Sequence, residues 1–133
     1  AQERGKMAVA YHSDMRKVGP DAQIIAVTHQ WGDYYTRRVK AVLDGSWKSG
    51  SVWGGVREGM IRVGDFGPKV PQKVQDEVLA RQKAIGAGQL HPFIGPIVDN
   101  EGREVLAKGQ QLSDEQILNM NYLVAGVVGR IGK

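Results

Sequence analysis

The chain has 133 residues, 41% of them hydrophobic and 24% charged, which suits one ordinary globular domain and argues against disorder. It contains no cysteine, which excludes a disulfide scaffold, a cysteine-ligated zinc and thiol chemistry. The net charge of +4 comes from scattered basic residues whose longest runs are pairs such as Arg16-Lys17 and Arg37-Arg38; they read as a solvated surface, with no nucleic-acid partner expected.

The first residues, AQERGKMAVAYHSDM, lack the apolar segment of a secretory leader and read as the end of a surface helix running into a strand, as in a fragment. Lys6 to Tyr11 is small and apolar, as a buried strand would be. A loop with Gly19-Pro20 as breaker follows, and Ala22 to Thr28 reads as a second strand. The period then changes: Trp31, Tyr34, Tyr35, Val39, Val42 and Leu43 recur at three and four, so an amphipathic helix is expected, stopped by Gly45. Tyr34, Tyr35 and Trp47 are expected mostly in the core.

Ser51 to Gly67 mixes β-formers with five glycines, as where backbone must approach a neighbour or ligand. Pro71 suits the start of a helix to about Gly86, and residues 91–110 read as extended chain with a hairpin turning at Asp99-Asn100-Glu101-Gly102. Ser113 with Gln116 forms a capping box, and the last helix is expected to carry its stripe through Met120, Val124, Val127 and Val128. The order is α/β, with too few strands for a complete doubly wound sheet.

No catalytic motif stands out. His12, His29 and His91 are too dispersed for a local metal box, and no metal or cofactor is expected. No nucleophile elbow, Walker loop or dinucleotide fingerprint is present. Asp76-Glu77 and Asp114-Glu115 fall in first or second helical turns, where they suit the helix dipole. Asp14 follows a strand, where open α/β sheets place ligand-binding groups; a turn-capping role is equally open.

The segments YHSDM, WGDYYTRRVKAVLDGSWKSG, VWGGVREGMI, HPFIGPIVDNEGREV and LSDEQILNMNYLVAGVVGRI occur in one order at compatible spacing. Together, from about Gly5 onward, they resemble the C-terminal part of the basic membrane lipoprotein family, the purine-nucleoside receptors of bacterial ABC importers. The resemblance implies an incomplete type I periplasmic-binding-protein fold: Rossmann-like α/β lobes joined by crossover strands. It implies lobe limits of 1–27 (second lobe and crossover), 28–52 (return to the first lobe) and 53–133 (second lobe), with Ser51 to Ile61 crossing back. It also implies an exported, periplasmic or lipid-anchored receptor with a permease partner, a purine nucleoside or base-like ligand, and no enzymatic activity. Exposed lobe faces could pair copies of so short a chain, and half a cleft is expected to bind poorly.

Family members often carry Gly-x-Asp-x-Asp after that first strand; here the second aspartate matches Asp14, while His12 replaces the first. Imidazole can donate as well as accept, which puts a ribose contact at that position in doubt. The expected ligand-binding set is Tyr11, His12, Asp14, Trp31, Trp53, Gly54 and Gly55, with Trp31 and Trp53 as flat faces. The alternatives are a ligand-sensing regulator of the same fold and a small α/β enzyme using His12 beside Asp14.

Overall fold

A computed structural model describes residues 1–132, which fall into two compact units that divide after Leu90. In the first unit a short 3-10 turn precedes β1 (Ala8–His12), β2 (Gln23–His29), α1 (Trp31–Leu43), β3 (Ile61–Gly64) and α2 (Gln72–Gly86). The second unit contains β4 (Ile97–Val98), β5 (Glu104–Leu106) and α3 (Asp114–Leu118). No helix among the described residues is long and apolar enough to cross a membrane.

β2 is the central strand of a three-stranded sheet ordered β1-β2-β3. It runs parallel to β1, with Tyr11 opposite Val27 and His12 opposite Thr28. It runs antiparallel to β3, with His29 opposite Ile61. Because β2 is paired on both edges, it holds half of the buried side chains of this unit: Gln23, Ile25 and Ala26, the last with no exposure, joined by Ala10, Ala22 and Val70. Gln23 Oε1 accepts from the Met15 N–H at 2.7 Å, and its amide donates to Asp14 Oδ1 at 3.0 Å and to the Asp65 carbonyl. One buried amide thus ties together the turns after β1 and β3.

The pass over β2 is close enough to require a glycine. The Gly67 N–H donates to the Ile24 carbonyl at 2.9 Å, and a Cβ at Gly67 would stand 1.7 Å from the Gln23 carbonyl oxygen. α2 is fastened to β3 by the Val63 N–H, which donates to Gln82 Oε1 at 2.6 Å. Gly45, at φ 75°, ends α1 as the composition predicts, and the Trp47 N–H returns to the Ala41 carbonyl at 3.0 Å.

The second unit is built around one buried carboxylate. Asp99 is 1% exposed and accepts from the Glu101 and Arg103 N–H groups, both at 2.9 Å, and from Arg103 Nε at 2.8 Å. These bonds, led by the Arg103 backbone N–H, hold its pKa below the usual carboxylate range. The hairpin tip also grips the chain that follows α3: the Asn100 N–H bonds Leu123 O at 2.9 Å and the Ala125 N–H bonds Val98 O at 2.8 Å.

Four expectations from sequence are corrected. β1 is not a buried strand: only Ala10 is covered, while Val9 is 56% and Tyr11 64% exposed, because β1 is an edge strand. Of the β-rich stretch Ser51 to Gly67, only Ile61–Gly64 is strand. Glu58 accepts from the Gly55 N–H at 2.7 Å and the Met60 N–H returns to Gly55 O at 2.9 Å, closing a local turn, so pairing starts only at Ile61. The aromatic stripe of α1 is not core here: Tyr35, Val39, Val42 and Leu43 are all exposed, Trp47 is 49% exposed, and no residue of α1 is buried. Tyr34 is half-buried, its hydroxyl accepting from Arg38 Nε at 3.1 Å.

The last correction concerns α3. Its capping box forms, with the Gln116 N–H donating to Ser113 Oγ at 3.2 Å and the Ser113 N–H to Gln116 Oε1 at 2.8 Å. The helix nevertheless ends at Leu118, because the backbone at Leu123, Ala125, Val127 and Gly129 bonds to the hairpin and cannot also serve a helical ladder.

Gly67→Ala tests the close pass over β2. Overpacking against backbone that cannot step aside should cost about 1–3 kcal/mol or more, read as a lower urea midpoint at unchanged slope. An unchanged midpoint would show that the loop is not seated as described.

Candidate functional site

β1 and β2 run parallel, so their carboxyl ends lie side by side, and α1 starts immediately after β2. In open α/β sheets this is the end at which ligands bind. The register places His12, the last residue of β1, diagonally beside His29, the last residue of β2. Their Nδ1 atoms are 3.2 Å apart and their ring centroids 4.9 Å apart. His12 sits at φ 72°, a left-handed conformation uncommon for a residue with a side chain. Such strain persists where neighbours fix it, and here the last β1–β2 pair does so.

From this pair a row of rings extends in both directions. Tyr11 lies 3.9 Å from His12 and 5.8 Å from His29, centroid to centroid. On the other side, Trp31 stacks on His29 at 5.2 Å with planes 7° apart, and Tyr35 lies 5.8 Å beyond Trp31 at 21°. Such offset contacts contribute about 0.5–1.5 kcal/mol each beyond the area they bury. The row remains open: Tyr11 is 64%, Trp31 44% and Tyr35 58% exposed. It is a wall of partly exposed aromatic rings that includes imidazole nitrogens able to donate or accept.

Asp14 lies next to this wall, but its carboxylate is engaged elsewhere. Arg16 reaches it with Nε at 2.9 Å and a terminal nitrogen at 2.6 Å, the Arg16 N–H closes an Asx turn at 3.0 Å, and Gln23 donates from below. Arg16 extends the network to Asp65 at 3.2 Å, which pairs with Arg62 at 2.7 Å. The Arg16 bonds, assisted by Gln23, hold the Asp14 carboxyl far below the usual carboxylate range. The carboxylate therefore shapes the turn that follows β1.

Trp53, Gly54 and Gly55 are not brought into the row. Trp53 is 55% exposed and makes none of these ring contacts. A Cβ at Gly54 would stand 2.5 Å from Met60 Sδ, and the Gly55 N–H is taken by Glu58. Of the expected residues, the structure gathers Tyr11, His12 and Trp31. It adds His29, which spacing could not supply, and Tyr35, which lies one helical turn after Trp31 and was expected in the core. His29 is 17 residues from His12, so only strand pairing connects them. The available signal was its place two residues before Trp31, at the end of a predicted strand. Among the described residues no group of three or more His, Asp or Glu side chains could hold a metal ion.

Residues 1–95 match the family Bmp, described as ABC transporter substrate-binding protein PnrA-like. The chain is 44% identical to a purine-binding protein of Brucella abortus over 129 residues, 96% of this chain and 36% of that protein. It is 26% identical to a Haloferax volcanii protein described as an ABC transporter glucose-binding protein, covering 98% of this chain and 31% of that one. The chain thus spans about a third of the length of these relatives. A crystal structure of a transcriptional activator of the comK gene from Bacillus halodurans superposes with a TM-score of 0.60 at 20% identity, over 68% of this chain and 32% of that one. At that identity the likeness shows the fold.

The Asp14 network carries a pH prediction. A carboxyl whose pKa is lowered on folding adds stability that is present above its unfolded pKa and is lost as pH falls through the folded value. The turn at residues 13–16 should therefore hold its geometry through the ordinary carboxylate range and loosen only in stronger acid. NMR of the Arg16 N–H and guanidinium signals checks this; Asp14→Asn should leave them already shifted at neutral pH. The mixed α/β sheet and the match over residues 1–95 lead to one conclusion: the chain belongs to the Bmp family of PnrA-like ABC transporter substrate-binding proteins.

Proposed function

We propose that this chain supplies part of the ligand cleft of an exported solute receptor for an ABC importer, and that the ligand is a purine or a similar flat nitrogen heterocycle. The observation that supports the ligand class is the open row Tyr11–His12–His29–Trp31–Tyr35 at the carboxyl ends of two parallel strands. Its exposed aromatic surface suits a planar ring, and the imidazole nitrogens can meet ring nitrogens and exocyclic groups of either polarity. The Brucella abortus relative, purine-binding by name and 44% identical, supports the same reading. A hexose would ask for many directed hydrogen bonds to hydroxyls, and the Asp14 carboxylate after β1 is engaged by Arg16 and Gln23.

The uncovered stripe of α1, which includes Val39 and Val42, is assigned to packing against the first lobe of the full receptor. Trp53, exposed and ahead of the anchored Gly54, is assigned to a second face of the closed cleft. The lobes would close over the ligand by hinge motion, and a permease would recognise the closed form.

A regulator can use this fold, as the Bacillus halodurans structure illustrates, so fold alone does not choose between transport and sensing. Membership of a substrate-binding family favours transport. An acid–base pair of His12 with Asp14 finds little support, because Asp14 faces Arg16 and Gln23 while His12 faces His29.

Calorimetric titration of the full-length receptor with adenine, guanosine and glucose tests the proposal. A purine should bind stoichiometrically without turnover, and Trp31→Ala should weaken it by about 1–3 kcal/mol, the worth of one stacked base. Binding of glucose with no purine affinity, or turnover of the purine, would overturn it.

A further inference from the structure

The pairing of His12 with His29 has a geometry that stacking on a purine does not require. The two Nδ1 atoms are 3.2 Å apart while the ring centroids are 4.9 Å apart, so both Nδ1 edges turn inward toward each other. Two imidazole nitrogens bound to one ion at ~2.1 Å stand ~3.0 Å apart at an octahedral edge and ~3.4 Å at a tetrahedral edge. The observed separation lies between these limits.

We propose that His12 and His29 chelate a divalent transition ion that prefers imidazole, such as Cu2+, Ni2+ or Zn2+. The backbone under both ligands is set by the sheet. His12 is fixed by its pairing with Thr28, and His29 by its pairing with Ile61. Both rings are braced, His12 by Tyr11 at 3.9 Å and His29 by the parallel indole of Trp31 at 5.2 Å. Ligation needs both Nδ1 lone pairs, so the ring that donates in the present contact shifts its proton from Nδ1 to Nε2, with no net proton change between two neutral imidazoles. Asp14 does not join, because Arg16 and Gln23 hold it.

Two protein ligands leave at least two positions open. That distinguishes the pair from a structural zinc site, which is closed by four ligands, and gives an exchangeable ion whose remaining positions take water or a ligand nitrogen. The inference stands on the histidine geometry and does not depend on the ligand class proposed above.

The test uses full-length receptor stripped with a chelator and titrated with Cu2+ alone, followed by calorimetry and electron paramagnetic resonance. One ion per chain should bind with hyperfine structure from two imidazole nitrogens. His29→Ala and His12→Gly should each weaken that site by at least the 10–100-fold typical of losing even an outer-shell partner. His12→Gly is chosen because glycine suits the left-handed φ at this position, so its folding is secure. His91→Ala, in the other unit, should change nothing. Binding unaffected by either His12→Gly or His29→Ala, a signal from fewer than two imidazoles, or no Cu2+ binding would each overturn the proposal. Purine titration of the same variants keeps the two readings separate, since either can fail while the other holds.

Discussion

Pairing of β2 on both edges is the constraint from which the rest of the first unit follows. It buries Ala26 completely and makes Gln23 a fully bonded polar hub in a small core. A buried amide is costly unless its donors and acceptor are satisfied, and here two bonds fasten the turn after β1 and a third the turn after β3. The same pairing aligns the ends of β1 and β2, so it also creates the ring row. Structure and site share one cause.

The row and the Asp14 network sit at the same end of the sheet and do different work. Charge is neutralised within the turn: Asp14 and Asp65 are each bound by Arg16, and Arg62 completes the set. Polar capacity at the wall is left to the imidazoles and the exposed tyrosines. The surface this leaves is aromatic, and the nearest guanidiniums, Arg16 and Arg62, are already paired with carboxylates.

Exposure in this chain follows from the same physics. A helix with an apolar stripe is stabilised mainly by the surface on which that stripe lies. α1 has its periodicity, its glycine stop and its stripe, yet no residue of it is buried. The chain spans about a third of the length of its relatives, and among the described residues nothing buries that stripe. The second unit shows the opposite case, in which hydrogen bonds from Asn100 and Val98 hold residues 123–129 without a helix.

Local chemistry was legible in the sequence because it depends on neighbours along the chain. The period of three and four gave α1, Gly45 its stop, Ser113 and Gln116 the start of α3, and Asp99 to Gly102 the hairpin turn. The resemblance carried by the aromatic helix and the Trp-Gly-Gly segment also pointed to the correct family. Tertiary structure alone decided what depends on residues distant in sequence. It placed His29 beside His12, because parallel pairing joins positions that no spacing relates. It added the buried Gln23 amide of β2 to the local turn that Asp14 makes with Arg16. It ended α3 at Leu118, because the hairpin takes the backbone groups that a longer helix would need.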